Sequence, residues 1–179
     1  RIADGYDDPV SGAAGPMPRR GFFGSVRAFS GPNGTPLWTV TNVVAGSLLG
    51  TFVRIVPDKN GDGADDVLVA STPAAGSNTG LSSILLLSGL TGATLFAVTE
   101  AVPAVEYVAA ESVADLNSDG VGEIAIVAVD RQPGAANSSI IVMCDGATGV
   151  ALVAFGSGSP SVFLGSSLDG TGDLDGDGV

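Results

Sequence analysis

Residues 58–66 read D-K-N-G-D-G-A-D-D, and residues 115–123 read D-L-N-S-D-G-V-G-E. A third stretch, from Asp173, reads D-L-D-G-D-G-V. Each places oxygen-bearing side chains at positions 1, 3 and 5 and glycine at position 6. The first two add a carboxylate at position 9. A tightly curled loop can turn alternate residues toward one point, and the glycine permits the curl. Calcium takes six to eight hard oxygen ligands at about 2.3–2.6 Å. One expected set is therefore Asp58, Asn60, Asp62, the Ala64 carbonyl and Asp66. A second is Asp115, Asn117, Asp119, the Val121 carbonyl and Glu123. Asp65, at position 8, is expected to face solvent.

The spacing shares its first six residues with an EF-hand, which needs a bidentate Glu at position 12 and flanking helices. Position 12 is Val69 in one loop and Ile126 in the other, each inside an apolar run. The EF-hand reading fails. The ion-free alternative is an acidic Asx-type turn, and recurrence of the D-x-[DN]-x-D-G spacing favours calcium over it. Magnesium suits the loops less, because it keeps its waters and a strict octahedron.

Working outward from these loops reveals a repeat. Asp4, Asp62, Asp119 and Asp177 each open an Asp-Gly motif, at steps of 58, 57 and 58 residues. A second landmark, SGPNG at Ser30, SGLTG at Ser88 and DGATG at Asp145, keeps the same phase. The units run from about 4 to 61, 62 to 118 and 119 to 176, with a fourth beginning at 177. Repeats of this period indicate stacked units of one construction. Within each unit the apolar runs are short. Val67–Ala70 and Ile124–Val129 follow the acidic loops, and Ser83–Leu87 and Ile140–Met143 come next. The glycine-rich landmark makes a hairpin turn. Leu37–Val40, Leu95–Val98 and Ala151–Phe155 follow it, and Phe52–Val56 and Val105–Ala109 precede the next acidic loop. Four short strands per unit predict an all-β fold of β-propeller blades, each of four antiparallel strands. Twenty-seven glycines and ten prolines in 179 residues suit many turns and exclude helical repeats. Parallel β-solenoids have shorter coils and no hairpin in each.

Composition narrows the function. The net charge is −12, with Lys59 the only lysine, so nucleic acid and anionic membrane surfaces are not expected partners. No stretch approaches a transmembrane span. Histidine is absent and Cys144 is the single cysteine. Zinc sites built on His and Cys, Ser-His and Cys-His nucleophile pairs, and a disulfide within the chain are excluded. Cys144 lies in an apolar run and reads as a buried, inert thiol. Trp38 could offer a sugar-stacking face, but a lone Trp in TPLWTV reads rather as core or blade packing. The chain is not expected to be an enzyme.

The loops and their period resemble the FG-GAP repeats of the integrin α-chain propeller and of many bacterial surface proteins. The resemblance covers residues 1–179. It rests most on the acidic loops, on the Phe163 stretch FLGSSLDGTGDLDGDGV as the phenylalanine-glycine lead-in, and on VSGAAGP at 10–16 as the Gly-Ala-Pro element. ASTP and VAVD replace Gly-Ala-Pro in the later units. The resemblance implies a propeller and bound calcium. The expected function is an extracellular or cell-surface module, held rigid by calcium, that binds a protein or glycan in adhesion. The alternative is a structural protein whose copies assemble into fibres; a lectin or propeller hydrolase has less support. The chain begins and ends inside calcium loops: Asp4 and Asp8 match positions 5 and 9 of one, and Asp173, Asp175 and Asp177 match positions 1, 3 and 5 of another. It is expected to be an excerpt of a larger propeller, or else a subunit that further copies of itself complete.

Overall fold

A computed structural model of the chain describes residues 7–17, 21–41, 47–73, 81–100, 105–131, 138–156, 164–165 and 168–170. These residues form eleven strands and no helix. The strands are β1 (Val10–Met17), β2 (Gly21–Phe29), β3 (Pro36–Thr41), β4 (Ser47–Val56), β5 (Asp66–Pro73), β6 (Ser83–Leu87), β7 (Thr94–Thr99), β8 (Val105–Ser112), β9 (Ile124–Asp130), β10 (Ser139–Cys144) and β11 (Ala151–Gly156). They build three antiparallel sheets, ordered β1-β2-β3, β4-β5-β6-β7 and β8-β9-β10-β11. Every apolar run expected from the sequence lies in a strand.

The sheets are out of phase with the sequence repeat. β4 precedes the acidic loop at Asp58, yet it pairs with β5 on the far side of that loop, from Ser47↔Pro73 to Val56↔Asp66. β8 pairs with β9 in the same way. A loop that joins neighbouring antiparallel strands is a hairpin connection, so each acidic loop caps the end of its own sheet. Both first strands slip register at one place, between Leu49 and Phe52 in β4 and between Tyr107 and Ala109 in β8. Irregularities of this kind bend a strand and raise its twist.

The middle sheet is covered on both faces. Side chains alternate along a strand, so β5 sends Val67 and Val69 toward the first sheet. There they pack with Val26, Leu49 and Leu87, and with Trp38 and Val40 at the margin. Leu68 and Ala70 point the other way, into a cluster with Ile84, Leu86, Tyr107, Ile124, Ile126 and Cys144. This explains why Val67–Ala70 is a continuous apolar run and not a polar–apolar alternation. Burying one such side chain contributes about 1.5–3 kcal/mol. An ion pair, Arg54 Nη2 to Glu111 Oε2 at 2.8 Å, also joins the second and third sheets.

The outer strands carry a repeating contact. The Trp38 ring lies against Gly92, in the hairpin turn of the next sheet, and its Nε1 donates to the Gly89 carbonyl at 2.6 Å. Phe96 lies against Gly149 in the same manner. Trp38 is therefore packing between sheets, as expected.

Candidate metal site in the aspartate loops

The loop between β4 and β5 is organised by its own carboxylates. Asp58 Oδ1 accepts from the amides of Asn60 and Gly61, at 3.1 and 2.7 Å, and Oδ2 from Gly63 at 2.8 Å. Asn60 Oδ1 accepts from the Asp62 amide, and Asp62 Oδ1 accepts from the Ala64 amide. Each odd-numbered position thus draws in backbone two or more residues ahead, which is the Asx-turn habit of Asp and Asn. The curl follows directly from the spacing.

Asp66 closes the loop from beneath. It is fully buried. Its Oδ2 accepts from the Lys59 amide at 2.8 Å and its Oδ1 from the Gly89 amide at 3.0 Å. Burial pushes the Asp66 carboxyl above its ordinary value, against the pull of those two amides. Asp58 is also pushed up by burial, but the amides of Gly63, Gly61 and Asn60 together hold it below its usual value. The side-chain amide of Asn60, 2.9 Å from Oδ2, is the main cause that lowers Asp62.

The second sequence landmark meets the loop in space. Gly89 stands so close to the Asp65 carbonyl that a β-carbon there would collide with it, and Gly31 and Gly146 stand in the same relation to Asp7 and Gly122. The two landmarks keep phase because the hairpin turn of each sheet sits under its own acidic loop. Ser88 Oγ, in that turn, donates to Asp62 Oδ2 at 3.0 Å. Asp8 is buried, and its Oδ1 accepts from the Gly31 amide at 2.8 Å. It repeats the bond of Asp66 to Gly89, which fits its reading as a position-9 residue.

Carboxylate oxygens of Asp58, Asp62 and Asp66 lie within 4.8 Å of one another, so the three can hold a metal ion. Ligands across a calcium ion stand about 5 Å apart, and the donors are all hard oxygens. A cation fits this loop. Among the described residues no second group of this kind forms. In the loop between β8 and β9, Asp115 accepts from the amides of Ser118, Asp119 and Gly120. Glu123, fully buried, accepts from Leu116 and Asn117. The Asn117 side-chain amide donates to both Asp119 and Asp145, at 3.2 and 2.9 Å. The curl is the same, but an amide nitrogen bridges the carboxylates.

The Ala64 and Val121 amides donate to the residue two before them, at 3.0 and 2.8 Å, which continues the curl to position 7. Asp65 is half-buried and not simply solvent-facing. Asp4, Asp173, Asp175 and Asp177 lie outside the described residues. The sequence reading did not single out Ser88, Asp145 or Lys59 as parts of the loops. The signal for the first two was the phase of their landmark; Lys59 gave none beyond being the sole lysine.

Cys144 is fully buried, and burial pushes its thiol up, with Asp145 adding to the shift. That environment suits an inert thiol. Among the described residues no helix is long and apolar enough to cross a membrane. No protein-family model matches the chain, and no curated protein matches it either.

Proposed function

We propose that the chain is a calcium-stabilised β-propeller segment of the FG-GAP kind, working outside the cell as a non-catalytic module that binds a protein or glycan. The observation that carries the reading is the meeting of Asp58, Asp62 and Asp66 within 4.8 Å, in a loop braced by the next hairpin turn. Asp58, Asn60, Asp62, the Ala64 carbonyl and Asp66 hold one ion; the corresponding residues from Asp115 to Glu123 hold a second. The ion supplies charge neutralisation and no reaction. Oxygen loops in extracellular modules bind calcium at roughly 10⁻⁴–10⁻³ M, which suits calcium outside the cell. Successive antiparallel sheets of three, four and four strands, the first two each docked by an outer-strand aromatic on the next hairpin, support blades as the unit of the fold. Calcium bound per chain after equilibrium dialysis tests the reading. Two or more ions at millimolar calcium, with equimolar magnesium failing to displace them, is the expected result. No bound calcium overturns it.

A second reading, head-to-tail assembly of copies into fibres, is favoured by one feature. Val153 and Phe155 stand one repeat beyond Phe96 and Val98, which are partly buried, yet they are 46% and 51% exposed. Such a face accepts a further sheet. Sedimentation at low micromolar protein tests it: growth of the particle with concentration supports assembly, and a monomer throughout removes it.

A further inference from the structure

Lys59 is the one lysine of the chain, and it is only 7% exposed. Lysine is almost never buried without a partner. Its backbone belongs to the first loop, at position 2, where its amide is tied to Asp66. Its side chain leaves that loop altogether. The ammonium donates to Ser112 Oγ at 2.8 Å and to the Gly122 carbonyl at 2.6 Å. Ser112 ends the strand that leads into the second loop, and Gly122 sits between Val121 and Glu123, expected ligands 7 and 9. The first loop therefore delivers its positive charge to its neighbour.

Acidic groups of both loops surround the ammonium, the greater number from the second. Burial is the main influence and disfavours the charged form. Glu123, Asp66, Asp115 and Asp119 oppose it, and three of these four belong to the second loop. Position 2 of the second loop carries no charge to pass onward, being Leu116, 52% exposed. The two loops offer the same number of expected carboxylate ligands, three each, and the ammonium makes them unequal.

We propose that Lys59 sets the cation affinities of the two loops apart, acting as a resident positive charge on the 115–123 loop, so that the 58–66 loop fills first. The inference rests on the calcium reading above. A divalent ion entering the second loop meets an ammonium already bonded to that loop's backbone, and like charges at short range repel. An ion entering the first loop meets three converged carboxylates, while the ammonium is bonded to Ser112 and Gly122 beside the second loop.

Calcium titration calorimetry on two single-loop variants tests this. Asp119→Ala leaves the first loop to report, and Asp62→Ala leaves the second. Added to Asp62→Ala, Lys59→Met should tighten calcium at the second loop by about fivefold. Lys59→Arg, which keeps the charge, should leave it within about twofold. An unchanged or weakened second loop in Lys59→Met overturns the inference. Since Lys59→Met also strips Gly122 and Ser112 of their donor, salt dependence supplies a second measurement with Lys59 intact. Between about 0.05 and 0.5 M salt, affinity should fall less at the second loop than at the first, because screening weakens repulsion as well as attraction. An equal or steeper fall also overturns it. If the unaltered chain binds no calcium, the calcium reading falls and this inference with it; calcium binding that ignores Lys59 removes the inference alone.

Discussion

The loops at 58–66 and 115–123 share one spacing and differ at three positions that matter. Position 2 is Lys59 in one and Leu116 in the other; position 4 is Gly61 against Ser118; position 9 is Asp66 against Glu123. The short Asp66 side chain reaches both its own loop, at the Lys59 amide, and the hairpin beneath, at the Gly89 amide. The longer Glu123 spends both oxygens on its own loop, at Leu116 and Asn117. Only the first loop brings three carboxylates together. A loop motif therefore specifies the curl, whereas what stands behind the curl specifies the cluster.

The largest expected effect comes from position 9. Asp66→Ala leaves two buried amides without an acceptor, at about 1–3 kcal/mol each, so melting in chelator should show a loss of about 2–6 kcal/mol. Glu123→Ala frees two amides in a half-buried loop that water can reach, and its loss should be smaller. Equal losses would break the contrast between the two loops.

Asp62→Ala should abolish one calcium ion per chain while costing the ion-free chain little, since Asp62 is exposed. Asp65→Ala should keep the stoichiometry. Dialysis on both variants checks the register; equal loss of calcium means that the loop has been read one residue out of step.

Acid should erase the effect of calcium at the first loop earlier than an ordinary aspartate would allow. Burial raises the proton affinity of Asp66, so protons compete with a cation for it more strongly than for an ordinary aspartate. In the ion-free chain the sign is opposite for Asp66 and its partners. The stability tied to its raised value is present at low pH and lost as pH rises through that value. Asp58 and Asp62, held below their usual values, contribute stability that is lost only as pH falls through them. Melting curves with calcium and with chelator should draw together as pH falls. A calcium-dependent gap that stays constant on acidification would contradict proton competition at Asp66.

The smallest effect lies at position 4. Gly61 has φ +76° and Ser118 has φ +64°, the left-handed region that glycine tolerates and other residues enter at a cost. Ser118→Gly should stabilise the chain by no more than about 1 kcal/mol, the relief being offset by greater freedom of the unfolded chain. Destabilisation on thermal melting would show that the Ser118 side chain does something its backbone does not.

The strands and loops were legible because they depend on near neighbours. Val67–Ala70 and Ile124–Val129 announce strands by composition, and the alternate oxygens of 58–66 announce the curl. Asp66 could be assigned to position 9, but its bond to Gly89 could not, since that contact joins residues 23 apart. Lys59 reaching Gly122, 63 residues on, is beyond any local signal. The sheet boundaries were hidden for a related reason. A sequence repeat fixes a period and not its starting point, so the pairing of β4 with β5 across the acidic loop had to come from the fold.

The most direct test of the calcium account is thermal melting of the unaltered chain in calcium and in excess chelator. A ligand bound only by the folded state adds RT ln(1 + [L]/Kd), or about 2.7 kcal/mol at calcium a hundredfold above Kd. For a chain of this size that raises the melting temperature by about 5–10 °C per filled loop. A rise of that order with calcium, and not with equimolar magnesium, is the predicted result; superimposable curves in calcium and chelator would contradict it.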